Sequence, residues 1–128
     1  GTSDLLWERI FPDIFDTFKM VQFYDYTKYP QRFRRNLPSN YHLTFSLSER
    51  DDSKREALAW LESGGNVAIV FDTRKGQPLP KSWNGYQVID GDQHDMRFLD
   101  KPGTIAGLRA KGKAIKDTSG FVQLALAA

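Results

Sequence analysis

Carboxylate, hydroxyl and amine side chains follow the apolar runs of this chain at the points where the runs end. VQFY is followed by Asp25 and Lys28, and NVAIVF is followed by Asp72 and Arg74. Such groups can bind polar ligands or exchange protons with them. Because parallel strands deliver their carboxyl ends to one edge of a sheet, we expect these side chains to share one ligand-binding rim. The predicted rim consists of Asp4, Asp25, Lys28, Ser46, Glu49, Asp72, Arg74, Lys111 and Lys113.

Asp25 and Ser46 each have a structural interpretation beside the functional one. Asp25 could cap a helix or pair with Lys28 instead of contacting a ligand or transferring a proton. Ser46 could cap the turn that follows it, and it lies outside the G-x-S-x-G pattern of an activated serine. The sequence therefore names no nucleophile and leaves enzymatic activity open.

DGDQHD (90–95) places three carboxylates in six residues, at Asp90, Asp92 and Asp95. Oxygen-rich loops of this kind can hold Mg²⁺ or Ca²⁺, although this one lacks the full twelve-residue calcium-loop pattern. The alternative is a solvated hairpin turn in which Gly91 takes a positive φ. His42 and His94 have no sequence neighbour at metal-ligand spacing, so we expect each to be a surface or hydrogen-bonded histidine.

Basic residues concentrate in QRFRR (31–35) and from Arg109 through KGKAIK (111–116). In the second segment, cations next to glycines could receive a phosphate, although no Walker A or G-x-G-x-x-G spacing is present. The two segments together could also form a basic face for DNA or RNA. A solvated surface is the alternative, and the formal net charge of +2 does not decide between them.

Composition removes several chemistries. The chain has 128 residues, of which 40% are hydrophobic, and no cysteine. Disulfides, thiolate catalysis, cysteine-bound zinc and an iron–sulfur cluster ligated by this chain are therefore excluded, and we expect no cofactor in it. No apolar run approaches the roughly 18 residues of a membrane helix, so we expect no membrane association and a cytoplasmic protein.

The periodicity of apolar residues predicts an alternating order of helices and strands. We expect a helix over 4–18, a strand at 21–26, a short helix at QRFRR and a strand at 41–48. A helix should start near Asp52, where Ser53 and Glu56 have capping-box spacing, and stop at Gly64-Gly65. Further strands are expected at 66–71, 86–90, 96–100 and 104–111, with 86–90 and 96–100 paired around the DGDQHD turn. Residues 120–128 should close the chain as a helix or as a last strand, and the helix is the preferred form.

This alternation predicts an α/β fold whose mostly parallel sheet has four to five strands and covering helices. A closed eight-stranded barrel needs about 250 residues. We therefore expect residues 1–128 to form a single domain that is half-barrel-like, or else a small open doubly wound sheet.

The ordered motifs GTSDLLWE, VQFYDYTK, NYHLTFSLSE, NVAIVF, WNGYQVIDGDQHDMRFLD and GLRAKGKA followed by SGFV resemble the carboxyl-terminal part of the mycobacteriophage gene-product-eighty-eight type proteins. That family is uncharacterised, and the resemblance covers nearly the whole chain. It implies an amino-terminal part with a cysteine-containing segment similar to radical-SAM-type barrels, which this chain lacks. The chain is thus expected to be a fragment of a longer protein, whose cofactor is unknown.

Three functions follow as expectations. The first is a phage-type fragment, not catalytic as isolated, that keeps part of a ligand-binding rim. The second is the carboxyl-terminal half of a cofactor-dependent, radical-SAM-like enzyme, and the third is a nucleic-acid-binding phage protein in the host cytoplasm. Because half of a parallel sheet leaves edges and apolar surface uncovered, we also expect a homodimer or a larger homo-oligomer.

Overall fold

The computed structural model describes residues 13, 22–30, 37–94 and 96–125. Its strands and its α-helix, in chain order, are β1 (Phe23–Thr27), β2 (Tyr41–Ser46), α1 (Ser53–Glu62), β3 (Asn66–Phe71), β4 (Ser82–Trp83), β5 (Tyr86–Asp90) and β6 (Ile105–Arg109). Residues Arg97–Leu99 and Gly112–Lys116 form short 3-10 helices. The predicted helix over 4–18, apart from Asp13, and the predicted QRFRR helix lie outside the described residues.

The strands form one six-stranded sheet in the order β1-β2-β3-β6-β5-β4. The neighbouring pairs β1–β2, β2–β3, β3–β6 and β6–β5 are parallel. The edge strand β4 runs antiparallel to β5. The predicted α/β class with a mostly parallel sheet is confirmed. The sheet has six strands where four to five were expected, and one of them, the two-residue β4, lies within what the sequence indicated as a loop.

One face of the sheet packs on α1 and is called here the α1 face. Side chains alternate along a strand, so Phe45, Val67, Ile69 and Ile105 all point to this face and are buried against the helix. The helix contributes Ala57, Leu61 and other apolar side chains to the same cluster. Full burial of each large aliphatic side chain stabilises the fold by about 1.5–3 kcal/mol, so this layer is the main core.

The predicted stop of α1 forms, whereas the predicted capping box at its start does not. Gly64 has φ +94°, the left-handed conformation expected of a helix stop. The capping box does not form, because the Ser53 hydroxyl accepts a hydrogen bond from the Ser48 backbone N–H at 2.9 Å. Ser53 therefore ties the β2–α1 loop to the helix instead of capping it.

The other face of the sheet, called here the opposite face, is covered by the connection 91–104 between β5 and β6. Small buried side chains, including Ala68 and Ala106, leave room there, and the connection fills it with Arg97. The Phe98 ring lies 5.3 Å from that of Tyr24. The prediction that 96–100 is a strand paired with 86–90 is wrong, since β5 pairs instead in parallel with β6.

The carboxyl-terminal segment pairs as the strand alternative predicts, and not as the preferred helix. Gln123 forms an isolated parallel bridge with Phe71, and no helix covers 120–124. The bridge lies beside β3 beyond the point where β2 stops pairing with it, at Ser46 opposite Ala68. Strand pairing with β3 replaces the expected helix here, because the departure of β2 leaves backbone groups of β3 to be satisfied.

Candidate functional site

The loops that follow β3 and β5 leave the sheet on opposite faces. The loop 72–81 crosses the α1 face, where a Cβ placed on Gly107 would lie 3.2 Å from Leu79. The connection 91–104 crosses the opposite face, where a Cβ on Gly91 would lie 2.8 Å from Arg97 Nη1. Open α/β sheets bind ligands where neighbouring connections diverge in this way, outside the carboxyl ends of the strands. We call this place, at the ends of β3, β6 and β5, the switch-point crevice.

A charged network occupies the switch-point crevice, and Arg109, the last residue of β6, is its centre. The Arg109 Nη1 group donates to both carboxylate oxygens of Asp90 at 3.0 Å and to Asp92 Oδ2 at 3.0 Å. Arg109 Nε donates to the Gln77 carbonyl at 3.0 Å, and Lys111 Nζ lies 3.1 Å from Asp92 Oδ1. Asp90, Asp92, Arg109 and Lys111 form what we call the Arg109 network.

The Arg109 network stabilises the charged forms of Arg109 and Asp92. Hydrogen bonds to Asp90 and then Asp92 raise the pKa of Arg109. Burial alone would raise the pKa of Asp92, but hydrogen bonds from Arg109 and Lys111 outweigh burial and lower that pKa below its ordinary value. Asp92 is thus ionised at neutral pH and is a weak general base.

Two clefts flank the Arg109 network, one on each face of the sheet. The cleft on the α1 face has a volume of about 750 Å³ and also contains Lys75, Gln77 and Pro78. The cleft on the opposite face has a volume of about 460 Å³, with walls that include Val70 and Leu108. Clefts of a few hundred cubic ångströms are typical of small-molecule sites.

Asp25 and Lys28, from the predicted rim, lie at a different place. Asp25 is inside β1 and not beyond its end; it is buried, and its Oδ1 accepts the Tyr26 backbone N–H at 2.8 Å. Lys28 follows the strand, and its Nζ lies 4.9 Å from the centroid of the Phe121 ring. No ion pair joins Asp25 to Lys28 within the described residues.

The remaining rim residues are dispersed along the carboxyl edge. Asp72 Oδ1 accepts the Ala125 backbone N–H at 2.8 Å, so the carboxyl-terminal segment occupies it. Ser46 is half-buried at the end of β2. The side chains of Glu49, Arg74 and Lys113 are exposed, and none of them lines the two clefts. Lys111 does line both clefts, whereas Asp4 lies outside the described residues. The rim itself stays a prediction.

The metal candidates Asp90 and Asp92 both belong to the Arg109 network, whose guanidinium lies where a cation would be held. Asp95 lies outside the described residues, and elsewhere in the described part no group of three carboxylates or histidines could hold a metal ion. Binding of Mg²⁺ or Ca²⁺ stays a prediction. Gly91 does not take a positive φ; a Cβ there would lie 2.8 Å from Arg97 Nη1, so Arg97 would have to shift to accept a larger residue.

Sequence reasoning separated residues that the fold brings together. It assigned Arg109 to a basic segment, assigned Asp90 and Asp92 to a turn, and did not single out Lys75 or Gln77. The parallel pairing of Asp90 with Gly107 is what places the carboxylates beside Arg109. A prediction that β5 and β6 are parallel neighbours would have indicated that Asp90, Asp92 and Arg109 lie together.

Comparisons with known proteins place the chain in a family. No helix in the described part is both long enough and apolar enough to span a membrane. Searches of the curated proteins and of the solved structures found no match to this chain. The model of the family described as Gene product 88 matches residues 1–125. The resemblance drawn from the sequence motifs is thereby confirmed, and the chain belongs to the Gene product 88 family of phage proteins.

Proposed function

We propose that this chain binds a small polar anion in the switch-point crevice and acts, as isolated, as a binding protein and not as a catalyst. The observation that supports this most is the Arg109 network, which lies between two clefts at the place where α/β sheets bind ligands. The Asp92 carboxylate is already held by Arg109 and Lys111, so it is poorly suited to take up a proton.

The charge of the larger cleft favours an anion. Lys75, Arg109 and Lys111 face Asp90 and Asp92, so cations outnumber carboxylates. Lys75 is exposed and makes no hydrogen bond or ion pair within the described residues, and the side chain of Lys111 is 74% exposed. Both amines can therefore turn toward a ligand.

Titration calorimetry with sodium pyrophosphate at low ionic strength tests the proposal. Lys75→Ala and Lys111→Ala should each weaken binding, by about tenfold for the loss of one charge-assisted contact. Lys113→Ala is the matched control, because Lys113 lies in the same basic segment but outside the clefts. Equal affinity in all three variants, or no heat of binding at millimolar pyrophosphate, would contradict the proposal.

A basic surface favours a second function, nucleic-acid binding. Lys111, Lys113 and Lys116 are all exposed around the 3-10 helix that follows β6. If this surface binds DNA or RNA, the affinity for a labelled oligonucleotide should fall steeply with salt, and Lys113→Ala should weaken it. The response of Lys113 thus separates this function from anion binding in the crevice.

We also propose that the protein is a homodimer in the host cytoplasm. Met96 and Leu99 are 43% and 61% exposed, and they lie together on the connection 91–104, where the Leu99 N–H donates to the Met96 carbonyl at 3.1 Å. Neighbouring exposed apolar side chains of this kind favour association.

The enzymatic alternative concerns a longer parent protein. It depends on the resemblance to radical-SAM-type barrels and has no support from the described residues. An in-frame upstream coding region with clustered cysteines would favour it, and the parent's cofactor would then follow from those cysteines.

A further inference from the structure

The larger cleft offers hydrogen-bond acceptors and cations to different parts of one ligand. Asp90 and Gln77 lie on its walls together with Lys75 and Lys111. From this arrangement we infer that the ligand is a phosphorylated sugar, either free or as part of a nucleotide, with its hydroxyls on Asp90 and its phosphate between the lysines. This inference rests on the proposed anion binding and names the ligand class.

Asp90 is the acceptor for the sugar. Its side chain is 32% exposed, and both of its oxygens accept from Arg109 Nη1 at 3.0 Å. Oδ1 also accepts the Asp92 backbone N–H at 3.0 Å, which leaves Oδ2 with unused acceptor capacity. An ionised carboxylate with an open oxygen attracts a hydroxyl and repels a phosphate. Asp90 therefore calls for a ligand that is not simply an anion.

The donors lie on the loop 72–81 and beyond the end of β6. The Gln77 carbonyl accepts from Arg109 Nε, and its Oε1 accepts the Arg74 N–H at 3.3 Å, so the side-chain amide of Gln77 keeps its donor hydrogens. Lys75 and Lys111 add two ammonium groups. Donors and cations of this kind bind the oxygens of a phosphate.

The cleft on the opposite face distinguishes a nucleotide from a free sugar phosphate. The cleft on the opposite face has aliphatic walls, formed by Val70, Leu108 and Ala114, and shares Asp92, Arg109 and Lys111 with the larger cleft. A nucleobase could pack on these walls, whereas a free sugar phosphate would leave them empty. A nucleotide and a free sugar phosphate should therefore bind the crevice with different affinities.

Calorimetry with inorganic phosphate, ribose 5-phosphate and adenosine monophosphate tests the inference on the full chain. Ribose 5-phosphate should bind about tenfold more tightly than inorganic phosphate, because its hydroxyls add hydrogen bonds to a charged acceptor. Asp90→Asn should weaken ribose 5-phosphate by a similar factor but leave inorganic phosphate unchanged or tighter, since it removes a negative charge. Lys113→Ala should change neither ligand.

The outcomes are distinct. If inorganic phosphate binds but ribose 5-phosphate binds no more tightly, the ligand class is wrong and anion binding stands. If neither binds, both proposals fail. If Asp90→Asn weakens the binding of the two ligands equally, Asp90 only supports the Arg109 network and the inference is overturned.

If this variant does not fold, a second ligand tests the same point. The unaltered chain should then bind 2-deoxyribose 5-phosphate more weakly than ribose 5-phosphate. Tighter binding of adenosine monophosphate than of ribose 5-phosphate assigns the opposite-face cleft to a base, and equal binding assigns a free sugar phosphate.

Discussion

Arg97 places a guanidinium inside the fold, with 1% of its surface exposed. Its Nη2 donates to the His94 carbonyl at 2.7 Å, and its Nε lies 3.5 Å from Asp100 Oδ2. A buried charge costs several kcal/mol unless an opposite charge and hydrogen bonds offset it. Arg97 can occupy this place because the side chains beneath it on the opposite face are small, and it holds the connection 91–104 against the sheet.

Asp100 gives this buried pair a pH dependence. Burial raises the pKa of Asp100, and the charges of Arg97 and His94 oppose that effect only in part. The folded chain therefore holds this proton more tightly than the unfolded chain, whose aspartate pKa is about 3.9. Stability from this residue should be fully present below that pH and should fall as the pH rises toward the raised value.

Asp100→Asn should remove this dependence, since asparagine does not ionise. We expect the stability of the unaltered chain relative to the variant to decrease as the pH rises from the unfolded aspartate pKa of about 3.9 through the raised pKa of Asp100. Urea unfolding of both proteins at several pH values in this range measures the difference. Parallel pH profiles would show that the buried aspartate does not titrate with a raised pKa.

At the scale of elements, the local patterns were enough for α1 and for β1, β2, β3 and β6. NVAIVF, for example, is apolar after Asn66 and became a buried central strand with the predicted bounds, 66–71. The pairing of β5 with β6 could not be predicted from a local pattern. MRFLD alternates over too few residues to distinguish a strand from a 3-10 turn, and the burial of Arg97 contradicts the usual exposure of arginine. The missing partner is also why Asp90 and Arg109 were not predicted to meet.

The carboxyl-terminal segment 121–125 pairs with the end of β3 through backbone hydrogen bonds. The Gln123 N–H donates to the Val70 carbonyl at 2.8 Å, and the Asp72 N–H donates to the Gln123 carbonyl at 2.9 Å. Few hydrogen bonds hold the segment, so we expect it to open more readily than the core strands. It lies at the same carboxyl edge as the crevice, and its Ala125 N–H donates to Oδ1 of Asp72.

Gln123→Pro tests this pairing, because proline has no N–H to donate to Val70. The amide of Asp72 should then exchange its hydrogen faster, whereas the Ile69 amide in the middle of β3 should stay protected. Loss of one such bond should lower the free energy of unfolding by about 1 kcal/mol. Gln123→Ala is the control, since it keeps the backbone bonds. Equal exchange rates for Asp72 in the two variants would argue against strand pairing.

At the scale of the whole molecule, the motif resemblance and the alternation of elements led to the same family and the same fold class. Both depend on the order of short segments along the chain, which a sequence displays directly. The number of copies in solution depends instead on which surfaces remain uncovered, and that requires coordinates. Leu99 illustrates the difference: its sequence context suggested a strand, whereas the structure exposes it at 61% beside Met96.

The proposed homodimer can be tested by measuring the mass of the protein in solution. Size-exclusion chromatography with light scattering should report twice the 14.7 kDa of one chain at micromolar concentration. Leu99→Lys should shift the mass toward one chain, because a buried charge at an apolar contact costs several kcal/mol. Leu124 is 63% exposed at another place in the fold, so Leu124→Lys is the matched control and should leave the mass unchanged. A single-chain mass for the unaltered protein would refute the dimer, and a dimer that both variants preserve would move the interface away from Met96 and Leu99.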